Sequence, residues 1–118
     1  MNAVPPSFDA ALASDPHEVR WAALHDAAAV VATLGGIEAA PPAGAFASLA
    51  RHADPLRRER AEHGVADLVA VLEPGIEALL AVNARGADPR PAAQALWREF
   101  DAGREAVLAM LGAPPRAA

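Results

Sequence analysis

The chain has 118 residues, a formal net charge of −5 and 33 alanines, with no Cys, Tyr or Lys. That length supports one hydrophobic core and one domain, and an acidic balance is a poor match to the phosphate backbone of nucleic acid. The lack of Cys excludes disulfides, thiolate zinc sites and cysteine nucleophiles.

Helix signals punctuate the chain in order. Asp15-Pro16 opens the first segment: Asp accepts a hydrogen bond from an orphan backbone N–H, and Pro at the first helical position gives up no bond. Glu18 follows three residues after Asp15, as in a capping box. Gly35-Gly36 closes this segment, which reads as a helix over about 16–34, with one further turn at 9–14. Trp21, Leu24, Ala28 and Val31 form one apolar row, and Ala23, Ala27, Val30 and Leu34 form a second beside it. Apolar character over so much of the circumference predicts a helix buried between two neighbours.

Pro41-Pro42 and Asp54 bracket a short helix near 44–52. Asp54-Pro55 then opens a long segment, 55–85, that Gly86 ends. Val65, Leu68, Val69, Leu72, Ile76, Leu79 and Leu80 make its stripe, while Pro74-Gly75 in its middle predicts a kink or a full break. The stripe stays in phase across the Pro, which favours the kink. Asp88-Pro89 opens the last segment, 89–112, stopped by Gly112 and Pro114-Pro115. Its stripe is Ala93, Leu96, Trp97, Phe100, Val107, Leu108 and Leu111. The short 86–88 connection makes the last two long helices antiparallel neighbours.

The fold class is therefore all-α: an antiparallel bundle of three long helices and a short one. It forms a single domain over 1–118, with 1–7 and 113–118 as loose tails. The longest apolar run, Ala27 to Ile37, is too short to cross a bilayer, and Met1 to Phe8 lacks the basic start of a signal peptide. A cytoplasmic protein is the expectation. The exclusive use of Arg over Lys with so much Ala suggests a GC-rich, bacterial coding sequence.

Arg104 stands within the last stripe, between Phe100 and Leu108, and needs either a carboxylate or an opening to solvent. Glu38, Asp26 and Glu73 are conceivable partners, and the functional reading is a pocket for an anion. Glu59, His63 and Asp67 repeat at four-residue steps on one helix face. They read first as a solvated face and only secondarily as metal ligands, because the spacing of paired di-metal motifs is missing. No cofactor is expected. Arg57, Arg58 and Arg60, with Arg51 and His52, concentrate positive charge near the start of the middle helix, where the dipole disfavours it. That makes Arg57, Arg58 and Arg60, together with Trp21 on the first helix, candidate contacts for a protein partner.

The run from His25 to Gly35, with small residues after the His and a closing Leu34-Gly35, resembles the phosphoacceptor helix of histidine phosphotransfer domains. The resemblance implies an exposed His25 as phosphoacceptor. Ala28-Ala29 stand where that family usually has Lys-Gly, and an ordinary surface histidine beside Trp21 is the preferred reading.

Ser7, Ser14 and Ser48 lack a nucleophile-elbow context, and no phosphate-cradling loop is present. The leading expectation is a non-enzymatic protein–protein interaction module, a small adaptor or chaperone-like bundle. Ala-rich cores bury little area per residue, so self-association into a homodimer is expected, with neither a nucleic-acid nor a membrane partner. The alternatives are phosphotransfer through His25, and a metal- or anion-binding sensor.

Overall fold

The computed structural model describes residues 16–38 and 46–112. They form α1 (Pro16–Gly35), α2 (Phe46–His52), α3 (Pro55–Ala84) and α4 (Arg90–Met110), with no strand among the described residues. This is the expected all-helical bundle of three long helices and a short one. Asp15, the turn at 9–14, residues 44–45 and the expected tails 1–7 and 113–118 lie outside the described residues.

The helix ends follow their local chemistry. Asp54 is extended, with φ −68° and ψ 160°, and its Oδ1 accepts from the Arg57 N–H at 2.9 Å. Asp88 Oδ1 accepts from the Arg90 N–H at 3.0 Å, so Pro89 lies just outside the helix that was expected to include it. At the far ends Gly36 and Gly86 take φ of 70° and 79°, the left-handed conformation that suits glycine. Ile37 N then donates to Ala32 O and Ala87 N to Val82 O, closing a Schellman turn in each case.

Helix α3 runs unbroken through Pro74 for 30 residues, about 45 Å, so the alternative of two separate helices does not occur. An interior Pro costs a helix roughly 3 kcal/mol. Packing outweighs that here because Leu72 and Leu79, on either side of it, are both buried and in phase.

Helix α4 runs antiparallel to both long neighbours. Gln94 Nε2 donates to Gly35 O at 2.9 Å near one end, and Arg104 reaches His25 nearer the other. Along α3, Gly64 faces Val107 and Gly75 faces Leu96. Helices α1 and α3 run in the same sense, since His17 meets Glu62 and Ala27 shares a groove with Ile76. The connection carrying α2 returns the chain between these parallel helices. Glu18 Oε2 accepts from the Ala47 N–H, so the residue expected to help cap α1 also tethers the first turn of α2.

The core is built from the predicted rows: Trp21, Leu24, Ala28 and Val31 from α1, Val65, Leu68, Leu72 and Leu79 from α3, and Ala93, Phe100, Val107 and Leu111 beyond them. Phe46 of α2 closes the end over Trp21, ring centroids 5.3 Å apart. The second α1 row departs from expectation. Ala23 and Val30 are exposed, and Ala27 and Leu34 are half-buried. Two neighbours cover only part of a helix circumference, and the arc between them and solvent stays open.

Glycines set the α3–α4 spacing. A methyl at Gly64 would stand 2.7 Å from Val107 Cγ2, one at Gly75 would stand 2.7 Å from Leu96 Cδ2, and one at Gly103 would overlap Leu68 Cδ2. Each missing side chain is the space into which the opposite helix inserts an apolar one.

Candidate functional site

The most polar point inside the bundle is His25. It is 8 % exposed and lies between Trp21, at a centroid distance of 4.7 Å, and Phe100, met edge-on at 5.4 Å. Its Nδ1 is 2.8 Å from the Trp21 carbonyl oxygen, one turn earlier on α1. A carbonyl only accepts, so Nδ1 carries the proton and donates. Nε2 then offers a lone pair, and Arg104 Nε donates to it at 2.8 Å. The bond from Arg104 requires a neutral ring, because a protonated Nε2 has no lone pair to offer. Burial lowers the pKa of His25 below its ordinary value; the Trp21 carbonyl opposes this, Arg104 reinforces it, and Asp26 opposes it.

Arg104 answers the question its sequence position raises. Its side chain is 12 % exposed, and Nη1 donates to Glu105 Oε2 at 3.2 Å. Neither His25 nor Glu105 is among the carboxylates Glu38, Asp26 and Glu73 that the sequence suggests as partners. The surface position expected for His25, whether ordinary or phosphoaccepting, is not the one it occupies. A phosphoacceptor nitrogen must meet solvent, whereas here both ring nitrogens are engaged inside the bundle. The signal was present: His25 stands one turn from both Trp21 and Ala28 in the buried row.

Trp21 is a second correction. As a candidate partner contact it should be reachable, yet it is fully buried as the largest side chain of the core. The arginine cluster divides. Arg57 is exposed and pairs with Asp54 at 3.5 Å, and Arg60 is exposed as well. Arg58 is half-buried and turns into a cleft of about 450 Å³ that it shares with His17, Arg51, Phe46 and Glu62. His17 Nε2 and Glu62 Oε2, 3.3 Å apart, bridge α1 to α3 there. Glu59, His63 and Asp67 are all exposed on α3, and among the described residues no three His, Asp or Glu side chains converge as a metal set.

Among the described residues apolar surface is left uncovered in at least three places, one of them a groove of about 200 Å³ between α3 and α4 lined by Gly75, Ala78, Leu79, Val82, Ala92 and Leu96. Between α1 and α3 runs a groove of about 210 Å³ with Ala23, Ala27, Val69 and Ile76 in its walls and Arg20 and Glu73 at its lips. Val30 and Leu80, 44 % and 50 % exposed, extend the same helical rows. Between α3 and α4 a groove of about 340 Å³ includes Val71 and Met110, with two acids, Asp67 and Glu99, along it. No described helix is long and apolar enough to cross a membrane. No family model, curated protein or solved structure matches this chain.

Proposed function

We propose that this chain is a non-catalytic protein–protein interaction module that works as a homodimer. The carrying observation is the set of large apolar side chains the fold leaves in solvent: Val19, Val30, Leu56, Val71, Leu80 and Met110 are between 37 % and 57 % exposed. Single exposed apolar residues are ordinary, but Val71 and Met110 lie in the larger α3–α4 groove and Val30 and Leu80 extend the rows that wall the α1–α3 groove, which is how association surfaces are built. The His25–Arg104 pair and the Glu59–His63–Asp67 row support the same reading. His25 and Arg104 are engaged with each other inside the bundle, and the Glu59–His63–Asp67 row is spread along solvent. Sedimentation velocity at tens of micromolar (~, the range of weak self-association) tests the reading: a concentration-dependent dimer is expected, and a monomer throughout overturns it.

A further inference from the structure

We infer that the cleft walled by α1, α2 and α3 binds a small organic phosphate, its phosphate held by Arg58 with Arg51 and its carbon body laid over Phe46. The site goes beyond the homodimer reading and does not depend on it. The state of Arg58 carries the inference. This side chain is half-buried in the cleft of about 450 Å³, yet among the described residues no side-chain hydrogen bond or ion pair includes it. Its own helix start offers a carboxylate one turn away on each side, and both are taken. Asp54 accepts from the Arg57 N–H and pairs with the Arg57 guanidinium at 3.5 Å. Glu62, four residues on, lines the same cleft but is drawn across to His17 Nε2 at 3.3 Å. Arg ahead of Glu is the weaker order for a pair at that spacing, so little is lost when Glu62 bridges to α1 instead. What remains is a guanidinium partly withdrawn from water, with five N–H donors and no acceptor supplied by the chain.

The rest of the lining sets the chemistry of the ligand. Arg51, in the last turn of α2, brings a second guanidinium to the cleft. Two arginines against the single carboxylate of Glu62 make this lining positive, in a chain that carries −5 overall. Glu18 presents Oε2 to the Ala47 N–H and does not line the cleft. Two guanidinium charges match a phosphate monoester, which carries nearly two negative charges at neutral pH and three terminal oxygens; a carboxylate carries one charge. Arg58 also stands in the first turn of α3, where the helix dipole disfavours a cation and favours an anion, so a bound phosphate relieves that placement.

Size and floor call for a carbon body on the phosphate. Phe46 and Ala50, both buried, give the cleft an apolar base. Its volume lies within the range of about 300–1,000 Å³ typical of small-molecule sites and exceeds what a bare phosphate fills. An open cleft with charged walls holds such a ligand weakly, at about 1 mM, and releases it during purification.

The test is a titration of the full-length protein with phenyl phosphate, followed by backbone amide chemical shifts well above the second phosphate pKa of about 6. Saturable binding near that strength is expected, with the shifts centred on α2 and the first turns of α3. Inorganic phosphate and benzoate are expected to bind at least about tenfold more weakly, the first lacking a body for Phe46 and the second lacking a second charge. Arg58→Gln has no internal side-chain bond to lose, and circular dichroism confirms that it folds; it is expected to weaken phenyl phosphate about tenfold. Arg57→Gln removes the same charge one residue away, outside the cleft, and is expected to change the affinity less than about twofold. Absence of saturable binding, an equal loss in the two variants, or benzoate or inorganic phosphate binding as tightly as phenyl phosphate overturns the assignment. None of these outcomes bears on the dimer, which sedimentation reads separately.

Discussion

His25 couples the core to pH through its two hydrogen bonds. In the unfolded chain it titrates near 6.5, while in the folded chain burial chiefly, with help from Arg104, holds its pKa lower. Between those values the unfolded state binds more protons, so His25 contributes stability that is full above about pH 6.5 and is lost as the pH falls below it. The charges acting on the ring are Arg104 on α4 and Asp26 on α1, and protonation would set His25 against Arg104 with its acceptor lone pair gone. One proton sets a limit of about 1.4 kcal/mol per pH unit on the slope. Urea unfolding between pH 5 and pH 7.5 should show stability rising with pH, and His25→Gln should flatten that rise. An unchanged slope in His25→Gln would contradict this account. At this scale the sequence reveals that Arg104 needs a partner, because a guanidinium interrupts an apolar row. It hides which partners, because the acceptor for Nε is a neutral histidine on another helix and the carboxylate is that of its own chain neighbour, Glu105.

The helices carry their own tests. Gly64 and Gly103 both sit where α3 and α4 touch, yet their substitution by Ala should differ. Gly64→Ala meets Val107, a β-branched side chain with one favoured helical rotamer, so overpacking is expected to cost about 1–3 kcal/mol. Gly103→Ala overlaps Leu68 Cδ2 and presses on its Cγ at 3.4 Å, but the longer Leu side chain has a second torsion with which to move aside. The gain in helix propensity of about 1 kcal/mol is common to both variants, so Gly103→Ala is expected to cost less than Gly64→Ala. Thermal unfolding of the two variants decides the order, and a larger loss for Gly103→Ala would contradict it. Pro74 is exposed within a continuous helix, so Pro74→Ala restores a donor without disturbing the core. It should stabilise the fold by about 1–3 kcal/mol in urea melts. The helix starts and stops were legible because Asp, Pro and Gly act within one turn. The continuity of α3 was favoured by the stripe staying in phase across Pro74, and the burial of Leu72 and Leu79 on both sides of it settles the matter. Gly64 and Gly103 offered a fainter signal: a glycine inside a helix costs stability and so points to a close neighbour.

For the whole molecule, the fold was legible and the surface only half so. Binary patterning separated the rows of Trp21, Leu72 and Phe100 from the charged faces. Patterning cannot say how much of an apolar circumference one chain covers, and so α1 read as fully sandwiched. What remains open on α1, exposed at Ala23 and Val30, is part of the apolar surface on which the proposed function depends. A core rich in Ala and Gly brings helices close while burying few large side chains, and pairing of copies supplies area that one chain lacks. The measurement that tests this most directly is native mass spectrometry of the full-length protein purified from cells. A bare dimer, twice the 12.1 kDa chain, is the expected result. A monomer, above all one carrying a bound metal or small molecule, would contradict it and return attention to the cleft beside Arg58.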